Sequence, residues 1–514
     1  MPTLTALPVE ILILVLETLG LHEMTALCLT CHSLNSLVTE YGWSIYLRSN
    51  PRPSCSLSKA RSLWSPYTRV RYDVLSDAAW TEPEFIARPL SRAWPGNHQP
   101  ILAISPSRLI VGVGSNLCSY RFGTSPSPSA APPVSFEGAV SLSNTSQRPR
   151  NITALTFIDD GGLDCTLNVA FQDGAMERVR LWPVTNNKND ITAPSLSCTR
   201  DIIAPIPEAD FIESFSTQSG TILSLSANGT ASLTATNLSS ASASASSTIS
   251  LKSRSWVSLL SLTSSTPYAA FGCSSTTPLA VHALTSAGEL SPRPLALLHT
   301  KKGADLPFDQ LPASAVYGIA QGPLNSPWGA SPQIVVSGWY DGQVRVYDLR
   351  SSSRASPSPS PSPGPNDAPG DAPTRPPPAP LRPVLSLADR WSYEPIYSVA
   401  CGGGSAAHIA AGTARHSVVS FWDVRAPGTG WSVHAPGNDP SPVYSVVLES
   451  SRFFGVTQSR PFVYDFGPDV SLDTYPALPQ VRGIDNLKHK KGSNRATYHT
   501  LRYAHNSSGL CHEH

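Results

Sequence analysis

Charge is what this sequence most lacks. Only 14% of its 514 residues are Asp, Glu, Lys or Arg, where soluble domains usually carry ~25%. The 37 basic and 36 acidic residues leave a formal net charge of +1. Such a chain has no field with which to hold nucleic acid or an anionic membrane, so neither is expected as a partner. Cysteine is sparse and scattered: nine residues, an odd number, spread from Cys28 to Cys511. That pattern excludes a disulfide-dense secreted scaffold and points to reduced thiols in the cytoplasm or nucleus. Long apolar runs are missing too. The first, Pro8 to Leu19, contains Glu10 and Glu17, has no Lys or Arg before it, and falls short of the ~20 residues that cross a bilayer. We therefore expect neither a signal peptide nor a membrane span.

Catalytic motifs are also missing. The chain has no G-x-x-x-x-G-K-[ST], G-x-S-x-G or H-E-x-x-H, and Gly402-Gly403-Gly404 lies between strands rather than before a helix. Cys28-Leu29-Thr30-Cys31-His32 matches the spacing of covalent haem attachment, but no targeting sequence precedes it and only three Met exist as distal ligands. Packed thiols are the simpler expectation there, and a solvated tail is the simpler one for Cys511-His512-Glu513-His514. The reading is of a protein that is not an enzyme and needs no cofactor or metal.

Helical periodicity is confined to the first fifty residues, where three short helices are expected. Leu7-Pro8-Val9-Glu10 reads as a helix start and Gly20 as a stop. Met24, Leu27, Cys28 and Cys31 follow at i, i+3, i+4 and i+7, and Leu34, Leu37 and Val38 continue an apolar face toward Trp43. Eight of the eleven residues from Val9 to Leu19 are apolar, so they wrap round the axis rather than forming one stripe. A bundle this small cannot cover a helix on every side; the surplus calls for another protein or for the rest of the chain.

Those residues carry a resemblance. Leu7-Pro8-x-Glu10-Ile11, Leu14, Leu16 and Leu19, then Met24 with Leu27 and a closing Trp43, resemble the F-box over residues 4–48. Glu23-Met24 stands where that family usually has Asp-Leu, and Leu34 where it has an aromatic. The resemblance implies docking on the Skp-type linker of SCF ubiquitin ligases, and through it on cullin and RING subunits. Leu7, Pro8, Ile11, Leu14, Leu16, Leu19, Met24 and Leu27 are the expected contacts.

From about residue 95 the pattern changes to short β-rich runs parted by Gly, Ser, Asn and Pro, as 49 Pro and 34 Gly suggest. The clearest unit, Ile334 to Arg350, joins two strands through Asp341-Gly342 and ends in Tyr347-Asp348; it recurs from Ile409 to Arg425 with Trp422-Asp423. Both resemble WD repeats. Weaker copies follow inner strands starting near Ile101, Ile152, Ile212, Val257 and Val443, to be set beside those at Val316 and Ile396. Without the Ser/Pro tract, their spacing approaches the ~40 to 45 residues of a WD blade.

The expected fold is multi-domain: a three-helix F-box bundle, a joint over 49–84, an all-β seven-bladed WD-repeat-like propeller over 85–470, and a tail over 471–514. The stretch from Phe85 to Arg92 should complete the last blade and close the ring. Residues 125–133, 237–250 and 351–382, rich in Ser and Pro, are expected to be disordered. The expected function is a substrate receptor of an SCF-type ligase, with a non-catalytic propeller scaffold as the alternative. The propeller should hold a protein target at one rim and the mouth of its channel. The hairpin turns there nominate Trp339, Tyr340, Arg415, His416, Gln458 and Arg460, exposed aromatics beside Arg being typical of binding hot spots.

Overall fold

Pro8 stands immediately before the first helix, where its missing N–H costs nothing. Helix α1 (Val9–Thr18) is followed by α2 (Leu21–Cys28) and α3 (His32–Leu37), and α3 continues through a π turn at Val38–Gly42 into α4 (Trp43–Ser49). Three helices were expected before residue 50 and four are present, and two further helices, which no periodicity in the joint announced, lie beyond them: α5 (Ser58–Leu63) and α6 (Pro66–Thr81). Ser65 Oγ caps α6, accepting the Thr68 N–H at 3.2 Å, and Pro66 fills its first turn. The bundle core gathers Leu12, Leu16, Met24, Leu37 and Trp43 around Val70 of α6. The bundle is thus completed by the joint. This is a computed structural model, and it describes residues 4, 7–124, 131–143, 150–183, 196–203, 210–235, 247–298, 312–351, 380–437, 439–475 and 502–505.

Beyond α6 the chain folds into antiparallel sheets set in a propeller-like ring. Within a blade the strands lie side by side in chain order, as Ile101–Ile104, Arg108–Val113, Asn116–Phe122 and Val134–Ser141 do. Successive inner strands pack on one another, and Val443–Leu448 packs against Ile101–Ile104, so the ring has no open end. Polar side chains bridge these inner edges. Thr153 Oγ1 donates to the Ile212 carbonyl at 2.6 Å, Ser398 Oγ donates to the Val443 carbonyl at 2.9 Å, and the Leu260 N–H donates to Ser216 Oγ at 2.9 Å. The Ser/Thr-rich, charge-poor composition serves this purpose. Tight turns use glycine where a side chain cannot go: Gly229 has φ +91°, and a Cβ there would lie 2.6 Å from the Ser253 carbonyl oxygen.

Closure follows the expectation. Strand Ile86–Pro89 pairs antiparallel with Pro461–Asp465, and the Leu90 N–H continues the pairing to the Pro461 carbonyl at 2.8 Å. The blade count does not follow it. Seven separate blades were expected, and five stand as separate sheets. The strands from Ser255–Ser261 to Leu385–Ala388 form one eight-stranded sheet, because Ser274 and Ser275 run past their own blade and pair with Ala315 and Ser314.

Three segments expected to be disordered are partly ordered. Ser247–Ser250 is the outer strand paired with Thr230–Ala235; the Pro132 carbonyl accepts from Arg452; Leu381 is buried and bridges Leu298. Residues 125–130, 237–246 and 352–379 of those tracts lie outside the described residues. The expected tail also contributes structure, since Arg502–Ala504 adds a fifth strand beside Trp431–His434. Each exception has a long-range partner that composition does not reveal.

Helix α6 is fastened to the ring at the Glu449–Ser451 loop and at the aromatic residues beside it. The Trp80 indole stacks on Phe466 with centroids 3.7 Å apart and planes 13° apart, and its Nε1–H donates to the Ser450 carbonyl at 2.8 Å. Tyr72 Oη meets Ser451 Oγ at 3.1 Å, and the Ser56 N–H donates to Glu449 Oε1 at 2.8 Å. Behind the loop, Arg452 Nε donates to Asp465 Oδ2 at 2.9 Å, both side chains being wholly buried. Trp80→Ala should therefore cost about 3 to 5 kcal/mol in equilibrium urea unfolding, as for other buried large-to-small changes; a loss below about 1 kcal/mol would show that the joint is held elsewhere.

Candidate functional site

Strand alternation sends successive side chains to opposite faces, and a bulge breaks the alternation and re-aims one residue. Six inner strands carry such a register break immediately after their first paired residue. The residues skipped are Thr153, Glu213, Trp256, Tyr317, Tyr397 and Tyr444, and all six line one cavity of about 580 Å³ at the mouth of the ring. A repeated backbone defect thus sets a ring of side chains around the cavity.

Four of the six are aromatic and adjacent. Ring centroids are 5.1 Å apart for Trp256 and Tyr317, 5.1 Å for Tyr317 and Tyr397, and 6.1 Å for Tyr397 and Tyr444. Beside them the Arg254 guanidinium lies 4.0 Å above Trp256 and donates from Nη2 to Glu213 Oε2 at 2.8 Å. Burial pushes the Glu213 carboxyl above the ordinary carboxylate range despite the Arg254 charge, with Asp210 adding to the rise. Burial, with the neighbouring phenols, also pushes up Tyr317, and burial pushes up Tyr444. These phenols therefore stay protonated and able to donate near neutral pH. Asn151, Gln172 and His98 also line the cavity.

The residues nominated from the hairpin turns lie on the same rim, with one correction. Trp339 is fully buried: its Nε1–H donates to Ser337 Oγ at 2.8 Å, and the Arg345 guanidinium covers its ring at 4.7 Å. It ends a strand, so its neighbour Tyr340 takes the opposite face. Tyr340 is exposed and meets Tyr317 edge-on at 6.5 Å. Arg415 and His416 are exposed; the Arg415 N–H donates to Glu394 Oε2 at 2.7 Å, and His416 Nδ1 contacts Glu394 Oε1. Gln458 and Arg460 are half-buried, with Arg460 Nε 3.4 Å from Ser459 Oγ.

The turn-based nomination missed Glu213, Arg254 and the aromatic arc. A signal was present. Val316-Tyr317-Gly318-Ile319, Ile396-Tyr397-Ser398-Val399 and Val443-Tyr444-Ser445-Val446 repeat one pattern at the start of the inner strand.

At the other end of the molecule, α1 divides its apolar residues. Leu16 and Met24 are each 1% exposed and belong to the bundle core, which removes them from the expected docking contacts. Leu7, Pro8, Ile11 and Leu14 are exposed, Leu14 at 58%, and Leu19 and Leu27 are half-buried. Val9 adds to the exposed face. The thiols of the Cys-x-x-Cys-His stretch also part: Cys28 packs against the core, while Cys31 is exposed before α3. Residues 511–514 lie outside the described residues. Among the described residues no three metal-ligating side chains converge, and no helix is long and apolar enough to cross a membrane.

No protein-family model matches the chain, and no curated protein matches its sequence. The fold and the two surfaces are therefore the basis for assigning a role.

Because folded Glu213 holds its proton to a higher pH than an exposed Glu, the folded state binds more protons than the unfolded chain between the two values. Its contribution to stability is present below the unfolded pKa, about 4.3, and is lost as pH rises through the folded one. Glu213→Gln should lose less stability than wild type as pH rises from about 4 to 7. Urea titrations across that range check this; parallel stability curves would refute it.

Proposed function

We propose that this protein is a non-catalytic substrate receptor of an SCF-type ubiquitin ligase. In this reading residues 4–48 are an F-box docking on a Skp-type linker, which brings cullin and RING subunits, and the propeller holds a protein target. The ring would contain seven blades, the eight-stranded sheet being two four-stranded repeats joined where Ser274 and Ser275 pair with Ala315 and Ser314. The assembly would work in the cytoplasm or nucleus, and transfer would proceed by proximity, the receptor raising the effective concentration of target lysines near the conjugating enzyme.

One observation carries this reading: Val9, Ile11 and Leu14 stand exposed on a helix whose other side already fills the bundle core, with Leu7 exposed just before its start. Burying each large apolar side chain contributes roughly 1.5 to 3 kcal/mol, so four together suit a helix of a small linker protein. The fastening of α6 to the ring supports it further, since a fixed geometry between linker and target favours transfer.

Ile11→Asp with Leu14→Asp should abolish co-purification of linker, cullin and RING protein while leaving the urea unfolding midpoint nearly unchanged. Leu16→Ala should instead destabilise the bundle by about 2 to 5 kcal/mol. Retention of the linker by the Asp variant would sink the docking surface. Linker without cullin in the wild-type purification would favour the scaffold reading.

A further inference from the structure

The mouth of the ring already shows how it treats a positive charge. The Arg254 guanidinium sits 4.0 Å above the Trp256 ring while its Nη2–H donates to Glu213 at 2.8 Å, so an aromatic face and a carboxylate share one cation. The rest of the arc repeats the aromatic half of that arrangement. Tyr317 and Tyr397 are tilted by 58° and Tyr397 and Tyr444 by 46°, so these rings are not stacked on one another. Among the described residues no cation lies over Tyr317, Tyr397 or Tyr444. Glu213 is the carboxylate within the same cavity, and its Oε2 alone receives Arg254.

We propose that the mouth receives an Arg or Lys side chain from an extended segment of the target, its charge lying over the Tyr317–Tyr397–Tyr444 arc and its N–H groups donating to Glu213. This deepens the receptor reading and rests on it for the word target; the binding chemistry itself does not. Burial that leaves the Glu213 carboxylate poorly solvated adds to the case, because an incoming cation stabilises the charged form. An anionic ligand is disfavoured by the same geometry. Arg254, the Arg lining the cavity, pairs through Nη2 with Glu213; its Nη1 has no hydrogen-bond partner but is shielded from solvent, so it offers no exposed donor to an anion. His98 is engaged with the Pro95 carbonyl at 3.1 Å.

The test uses the full chain and two capped pentapeptides, Ala-Ala-Arg-Ala-Ala and the same peptide with citrulline, which keeps the shape of Arg without its charge. Titration followed by intrinsic fluorescence and calorimetry should show saturable binding of the Arg peptide, with the citrulline peptide weaker by roughly tenfold or more. Tyr397→Leu should weaken the Arg peptide by a similar factor and Tyr397→Phe should retain it, because the ring face is what acts. Glu213→Gln should weaken it as well, with thermal unfolding showing each variant folded. Equal affinity for both peptides, no binding of either, or saturation only by a phosphopeptide or an oligosaccharide would overturn the proposal. Linker co-purification reads α1 independently: Arg-peptide binding without linker sinks the ligase reading and leaves this one, and linker binding without the peptide does the reverse.

Discussion

Everything in this molecule depends on how the ring is closed. A sheet edge left unpaired invites association with other chains, and a propeller removes that hazard only if its two ends meet in one sheet. Here the first strand, Ile86–Pro89, is committed to the last sheet beside Pro461–Asp465. Helix α6 ends at Thr81, five residues earlier, so the closure brings the helix to the loop Glu449–Arg452 and leaves it nowhere else to go. Trp80, Tyr72 and Ser56 then anchor on that loop, and Val70 on the same helix completes the core of α1 to α4. One strand pairing fixes where the whole amino-terminal bundle sits.

The same strand geometry separates the two candidate surfaces. Val443–Leu448 begins at Tyr444 in the mouth and leads directly into Glu449 at the joint. At ~3.3 Å per residue the two ends are roughly 17 Å apart. The bundle is therefore fastened at one face of the ring, and the aromatic arc opens on the other. In the proposed reading, a partner at α1 and a ligand in the mouth would not compete for space.

Much of this architecture was legible from local chemistry. Asp341-Gly342 announced a hairpin, recurring Tyr-Asp and Trp-Asp pairs announced repeats, and the run before Ile101 announced the closing strand. The rim was legible as well, because hairpin turns and strand starts share it. Trp339 was misread because its hydrophobicity says nothing about which face of a strand it takes: Tyr340 beside it is exposed and Trp339 is not. The arc was missed for a different reason. Its Tyr residues occupy positions that strict alternation assigns to the strand's other face, and only a register break delivers them to the channel.

The sequence by itself determined the short antiparallel strands, the closing strand and the surplus of apolar surface on the first helix, since each follows from spacing and turn chemistry within a few residues; it did not mark α5 and α6, whose apolar residues find their partners in the bundle and the ring. Tertiary structure alone decided which side of α1 became core, where Leu16 and Met24 went in and Leu14 stayed out. It also decided that Arg502–Ala504 joins the edge of Trp431–His434, that eight strands join in one sheet, and that six bulges point the same way. These are choices among partners far apart in the chain, and packing, not local preference, makes them.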